Sequence, residues 1–244
     1  MNIKGTVLLT LFALLSLNVS AQLIKVIEGD GKYVEKEIEI DHFTEVSLSH
    51  AFNVIYTQDK SMARKVKIRA EQNMMDLVQA VTKKGKLSLS MKKALNVDYG
   101  VVFVYCSSEE LYKIRNMGSG VFEVNGTLNT PKLDIEVGSN GQIKIEKLLA
   151  KEVKASILST DGDILLAGNA NKAKYSIKFG GEIRADRLAA EEVSCIIFGN
   201  GSVGCNASQK LQTTFWGTGT VYYRGTPEFR SGGIGKGKVV PITD

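Results

Sequence analysis

The sequence predicts an all-β protein: a right-handed, single-stranded parallel β-helix (a solenoid) with rungs of about 18–22 residues. Three observations carry that reading. Glycine turns recur at a nearly fixed interval, apolar and polar residues alternate on both sides of each turn, and Gly is abundant (24) while Pro is scarce (3). Glycine without proline points to tight turns between strands rather than to a disordered linker.

The repeat is the first element. The second glycines of the Gly-x-Gly-like turns are Gly120, Gly141, Gly162, Gly181, Gly201, Gly219 and Gly237, at intervals of 21, 21, 19, 20, 18 and 18. The units read LDIEVGSNGQIKIEKLLAKE from Leu133, VKASILSTDGDILLAGNANK from Val153, AKYSIKFGGEIRADRLAAEE from Ala173, VSCIIFGNGSVGCNASQK from Val193, LQTTFWGTGTVYYRGTPE from Leu211 and FRSGGIGKGKVV from Phe229. A looser unit begins at Leu111.

Before the turn, Leu133, Ile135 and Val137 are echoed by Val153, Ala155 and Ile157, and so on down the repeat. After it, Ile143 and Ile145 are echoed by Ile164 and Leu166, then Ile183 and Ala185, Val203 and Cys205, Val221 and Tyr223. A period of two means strands with one buried face. The glycine between them is expected to supply a φ that other residues resist.

Such a unit cannot bury its apolar face alone, but stacked units can. At about 4.8 Å per strand, seven rungs make a rod roughly 34 Å long. Ile143, Ile164, Ile183, Val203, Val221 and Val239 then fall into one internal column. The leucine-rich repeat has an overlapping period, but no unit carries its L-x-x-L-x-L-x-x-N pattern. The Ca²⁺-binding nonapeptide repeat needs an Asp after Gly in every turn, and only Asp163 supplies one.

The first half also reads mostly as strands: Val34 to Ile40, Thr44 to Thr57, Val66 to Ala70, Lys86 to Met91 and Val101 to Cys106. Gly29-Asp30-Gly31 and Lys84-Gly85 mark turns. Asn73 to Val81 is the one helical stretch, with Met74, Leu77, Val78 and Val81 at helix spacing behind an Asn that would cap it. FTEVSLSHAFNVIYTQD resembles a degenerate rung with Ser49-His50-Ala51 at the turn. This half is expected to form early rungs and a covering layer, because an open solenoid end invites aggregation.

The chain begins with a secretory signal. Lys4 precedes an apolar run from Val7 to Leu17, then Val19-Ser20-Ala21 carries small residues where signal peptidase cuts. The run is shorter than the roughly 20 apolar residues of a membrane span, and no later stretch would cross a bilayer. The organisation expected is therefore 1–21 signal peptide, 22–110 an N-terminal β-rich part and 111–244 regular rungs.

At this point a resemblance becomes specific. FTEVSLSHAFNVIYTQD, VKIRAEQNMMDLVQAVTKKGKLSLSMKK, VVFVYCSSEELYKIRNMGSGVFEV and the serial Gly-x-Gly turns resemble the "putative auto-transporter adhesin, head GIN domain" family of Bacteroidetes-type envelopes. Members typically show Ser-Gly-Ala-Gly-Asp where this chain has Met117-Gly118-Ser119-Gly120, so the Asp is mostly lost here. The resemblance implies a right-handed β-helical fold and an exported location. It implies little chemistry, because the adhesin label rests on fold analogy.

The residues themselves argue against catalysis. There are two histidines, His42 and His50, and no His/Cys set has zinc spacing. Cys106, Cys195 and Cys205 fall in phase with inward positions, either as free buried thiols or with Cys195 and Cys205 bridged. Polysaccharide enzymes on β-helices need clustered carboxylates. Among Glu136, Asp161, Asp163, Glu182 and Asp186, the cluster to be built is Asp161, Asp163 and Glu182 at one turn, which a solvated acidic turn explains more simply. No catalytic residue, metal or cofactor is expected. A net charge of +5 spread along the chain does not mark a nucleic-acid face.

One surface stands out. Phe198, Trp216 and Ile234 lie 18 residues apart, just before the turn glycines, with parity opposite to Ile197, Phe215 and Gly233. They are expected to stack into an outward apolar ladder that Ile196 and Tyr222 extend. The alternatives are that a turn kink rotates them inward or that the N-terminal layer covers them. The function expected is a non-enzymatic, adhesin-like binding or structural module of the periplasm, outer membrane or cell surface. Its partner would be an envelope protein or glycan. A self-assembling homo-oligomeric scaffold and a polysaccharide-active enzyme are the rivals.

Overall fold

The structure is a computed structural model that describes residues 26, 28–93, 98 and 100–243, so the leader expected at 1–21 lies outside the described residues. It is all-β, and its stacked parallel strands form a β-solenoid.

In the regular part the strands are β8 (Lys113–Asn116), β9 (Val121–Asn125), β10 (Leu128–Val137), β11 (Gln142–Ile157), β12 (Asp163–Ile177), β13 (Glu182–Ile197), β14 (Ser202–Phe215), β15 (Thr220–Arg224), β16 (Glu228–Gly233) and β17 (Lys238–Pro241). The long strands β11 to β14 run from one glycine turn, around the opposite corner, to the next. Register shifts between Ile145 and Leu148, and again between Leu165 and Ala167, mark that corner. Every pairing in this part is parallel.

The column expected from the repeat is present. Ile143, Ile164, Ile183, Val203, Val221 and Val239 pair level to level. It continues through Phe122, Val54 and Val104 into the first half. All of these are buried except the partly buried Val239 at the end. Val137, Ile157, Ile177, Ile197 and Phe215 form a second column. Burying each such side chain contributes about 1.5–3 kcal/mol, so the columns are the main cohesive element of the rod.

The turn glycines also stand in a column. The carbonyls of Gly120, Gly141, Gly162, Gly181, Gly201 and Gly219 accept from the N–H of Gln142, Asp163, Glu182, Ser202, Thr220 and Lys238, at 2.9–3.2 Å. The reason for glycine differs from the expectation. Of the seven turn glycines only Gly181 has a left-handed φ, +88°. At Gly201 the constraint is space, since a Cβ would sit 2.7 Å from the Gly181 carbonyl oxygen. Close approach of stacked backbones, more than φ, selects glycine here.

Asn116 interrupts the apolar second column, pairing with Val137 on one side and Leu48 on the other while fully buried. Its Nδ2 donates to the carbonyls of Gly120 (2.7 Å) and Gln142 (3.2 Å), and its Oδ1 accepts from the Gly118 N–H (3.1 Å). A buried amide with these partners ties the turn to the core.

The first half holds β1 (Tyr33–Glu39), β2 (Glu45–Leu48), β3 (Phe52–Gln58), β4 (Lys65–Glu71), β5 (Val78–Lys83), β6 (Lys86–Met91) and β7 (Val102–Ser108). β2 and β3 form a rung around Ser49-His50-Ala51, with His50 at φ 65°. That rung lies between β6–β7 on one side and β8–β9 on the other, so spatial order departs from chain order. Beyond it, β5 pairs antiparallel with β6, and β4 pairs antiparallel with both β7 and β1.

The helix expected over Asn73 to Val81 is corrected. Only Met75–Leu77 forms a 3-10 turn, and from Val78 the chain is strand β5. Lys84 (φ 51°) and Gly85 (φ 74°) close the β5–β6 hairpin with two left-handed residues, the turn whose twist matches the strands. Tertiary pairing therefore overrides the helix spacing. Asn73 does not cap that turn. Its Nδ2 donates to the Glu28 carbonyl at 2.9 Å, and its Oδ1 accepts from the Asp30 N–H at 3.2 Å.

Candidate functional site

The ladder arises from strand parity. Ile157, Ile177, Ile197 and Phe215 point inward, so the residues that follow them point out. Backbone bonds fix their stacking: the Phe198 N–H donates to the Ile177 carbonyl at 2.9 Å, and the Trp216 N–H to the Ile197 carbonyl at 2.8 Å. The rings of Phe198 and Trp216 are nearly parallel and stacked, with centroids 6.3 Å apart and planes at 8°. Phe198 is 50% exposed, Trp216 51% and Ile234 84%. Neither a turn kink nor the N-terminal layer hides them.

Ile196 lies on the same outward face, two residues before Phe198, and is partly exposed. Tyr222 is exposed but belongs elsewhere. It sits on β15, after the glycine turn, in the outward column of Arg184, Gly204 and Val240. The structure does not bring Tyr222 to the ladder.

Two members were missed. Leu158 and Phe179 are exposed, and with Phe198 they line a shallow hollow of about 780 Å³. Thr160, Asn200 and Thr218 give the hollow a polar rim. The Lys178 ammonium stands 5.6 Å from the centroid of the Phe179 ring. Phe179 escaped the ladder spacing because it stands one place later in its turn than Phe198 does, Lys178 being level with Phe198. It aligns with the glycine after Phe198 instead, and a Cβ on Gly199 would lie 1.7 Å from the Phe179 carbonyl oxygen. The signal available was an aromatic residue two or three places before each of Gly181, Gly201 and Gly219.

The acidic residues weighed for catalysis are engaged with neighbours. Asp163 is bonded by the Arg184 guanidinium and the Gln142 side-chain amide. Glu136 accepts two bonds from Arg115. Asp186 pairs with Arg224 at 3.6 Å. Glu182 stands beside Asp163 on the neighbouring rung, while Asp161 bonds the Thr160 hydroxyl at 2.7 Å. The Arg184–Asp163 and Arg115–Glu136 contacts are surface ion pairs between adjacent rungs and Asp186–Arg224 spans from β13 to β15, each contributing about 0–1 kcal/mol. His50 shares a 3.0 Å contact between Nδ1 and the Ser49 hydroxyl. Among the described residues no group of three or more His, Cys, Asp or Glu is placed to hold a metal ion.

The three cysteines are free and buried. Burial pushes the Cys106 thiol up to about 12. The bonded Cys205 side chain, then burial, hold Cys195 well above the ordinary thiol range. Protonated, enclosed thiols are poor nucleophiles. Among the described residues, no helix is long and apolar enough to cross a membrane.

An adhesin from Bacteroides fragilis matches with 26% identity and a TM-score of 0.80, over 88% of this chain and 100% of that one. One from Parabacteroides merdae matches with 28% identity and a TM-score of 0.72, over 89% and 99% of the two chains. A third, from Parabacteroides distasonis, matches with 25% identity and a TM-score of 0.73, over 89% and 100%. All three are solved structures whose adhesin role is inferred. No curated protein matches the chain. The family model described as "Putative auto-transporter adhesin, head GIN domain" matches residues 42–227, and the chain belongs to that family.

Proposed function

We propose that this chain is a non-catalytic binding module of the bacterial envelope that holds a glycan against its lateral ladder. The observation that carries the reading is the stacked, half-exposed pair Phe198 and Trp216, of which Phe198 lines, with Phe179, a hollow rimmed by Thr160, Asn200 and Thr218. An exposed aromatic platform beside hydroxyl and amide groups suits a sugar ring, which has an apolar face and polar edges. The platform stands on a rod of paired strands, so little ordering entropy is lost on binding.

Membership of an adhesin family supports a binding role. Export rests on the leader pattern at 1–21. A non-catalytic reading is favoured because Glu136, Asp163 and Asp186, three of the carboxylates considered for catalysis, are held in cross-rung ion pairs.

A glycan array probed with the purified chain tests the proposal. Retained glycans are expected, and Trp216→Ala should weaken them by roughly tenfold or more, as loss of a central aromatic anchor does. An array without retained glycans, or an alanine variant that binds as well as the parent, would overturn it.

A further inference from the structure

A second concavity lies at the other end of the rod, on the outer face of β3, β4 and β7. Its volume is about 620 Å³, within the size range of small-molecule sites. The floor is set by pairing: Ile55 on β3 stands beside Tyr105 on β7, which stands beside Lys67 on β4. These positions alternate with the buried Val54, Cys106 and Val66, so they face out. The 59–64 loop forms one wall and contributes Met62, which is 63% exposed.

That loop is held in place. The Asp59 carboxylate accepts from both the N–H and the hydroxyl of Ser61 at 2.7 Å. The Asp59 N–H donates to the Ser108 carbonyl at 3.1 Å, and the Ile40 N–H to the Arg64 carbonyl at 3.0 Å. Lys60 reaches Glu109 at 3.0 Å. The wall is thus preformed.

The charges at the rim are unequal. Lys65, Lys67 and Glu37 line the hollow. Lys67 is engaged by Glu35 at 2.7 Å. Lys65 meets only the far edge of ion-pair distance, 3.7 Å from Glu37, and both groups are well exposed. Such a contact is weak, so the Lys65 ammonium is available to a stronger anion.

We propose that this hollow binds a small amphipathic anion, its apolar part on Ile55, Tyr105 and Met62 and its carboxylate or phosphate on Lys65. The site is separate from the aromatic ladder and stands or falls independently of it.

Calorimetric titration of the full chain with dodecanoate, dodecyl phosphate, dodecyl maltoside and acetate, each below its micellar concentration, tests this. Dodecanoate and dodecyl phosphate should each saturate one site, while dodecyl maltoside and acetate bind at least roughly tenfold more weakly. Lys65→Glu and Met62→Asp, both at exposed positions, should each weaken dodecanoate by roughly five- to tenfold with circular dichroism unchanged. Trp216→Ala should leave it unaltered.

Equal binding of the maltoside, absence of a saturable site, or loss in Trp216→Ala with retention in Lys65→Glu and Met62→Asp would overturn the proposal. If the substitutions at Lys65 and Met62 perturb folding, chemical-shift mapping decides. Dodecanoate shifts clustered at Ile55, Met62 and Tyr105 support the site, and shifts clustered at Phe198 and Trp216 reject it.

Discussion

The two ends of the rod solve the same problem differently. At the N-terminal end the outermost strands are β1 and β5, both antiparallel to their neighbours. β1 reads YVEKEIE, and its Glu35 and Glu37 pair with Lys67 and Lys65. At the other end β16 and β17 repeat the parallel pattern. Among the described residues β16 pairs with β14 alone and β17 with β15 alone, and all six residues of β16 are exposed. An edge is made safe by charge or by proline. The first end uses charge along β1, whereas the second has Pro241 in β17 and the Glu228–Arg230 pair beside Phe229. Among the described residues the first end thus carries antiparallel strands and charge, while the other carries a thinner, more exposed rung.

Three experiments sharpen that contrast. The largest effect belongs to the middle of the stack. Ile183→Ala, fully buried between Ile164 and Val203, should lower stability by about 2–5 kcal/mol. Val239→Ala, at the thin end, should cost under about 1 kcal/mol in the same denaturant titration. Equal costs would mean that the last rung is as firmly packed as the centre.

The next effect is alkaline and local to the rungs that bury a tyrosine or a thiol. Among them are β3 and β7, and also β12 and β13, where burial raises Tyr175, and the Cys205 side chain and burial raise Cys195. Burial raises Tyr56 from 10.0 to about 12 and Cys106 from 9.0 to about 12. Both are neutral when protonated and both have a folded pKa above the unfolded value. Their contribution is therefore complete below about pH 9 and is lost as pH rises towards 12. Amide exchange followed against pH should show β3, β7, β12 and β13, which bury these groups, opening before β10, which carries no Tyr or Cys.

The smallest effect separates two glycines. Gly201→Ala places a Cβ 2.7 Å from the Gly181 carbonyl oxygen and should cost about 1–3 kcal/mol. Gly232→Ala meets nothing within 4 Å and should stay within about 0.5 kcal/mol. Thermal melts of the two variants, side by side, would check it.

Much of this was written locally in the chain. Alternation around each glycine placed the inward columns, from Ile143 to Val239, because a strand has a period of two and a parallel stack keeps register. The same parity exposed Phe198 and Trp216. Phe179 was hidden because it stands second after the inward isoleucine of its turn, level with Gly199, whereas Phe198 and Trp216 stand first. The stretch from Met74 to Val81 misled because its apolar spacing fits a helix, whereas hairpin pairing with β6 decides its form.

By itself, then, the amino-acid sequence determined the coil: which residues face in, where the backbone bends, and that successive units pile up. Those are properties of each residue and its near neighbours along the chain. Only the tertiary structure decided that the β2–β3 rung lies between β6–β7 and β8–β9, that antiparallel strands shut one end, and that a hollow forms beside Lys65. Each of these joins segments far apart in sequence, where pairing energy between strands, rather than local pattern, selects the partner.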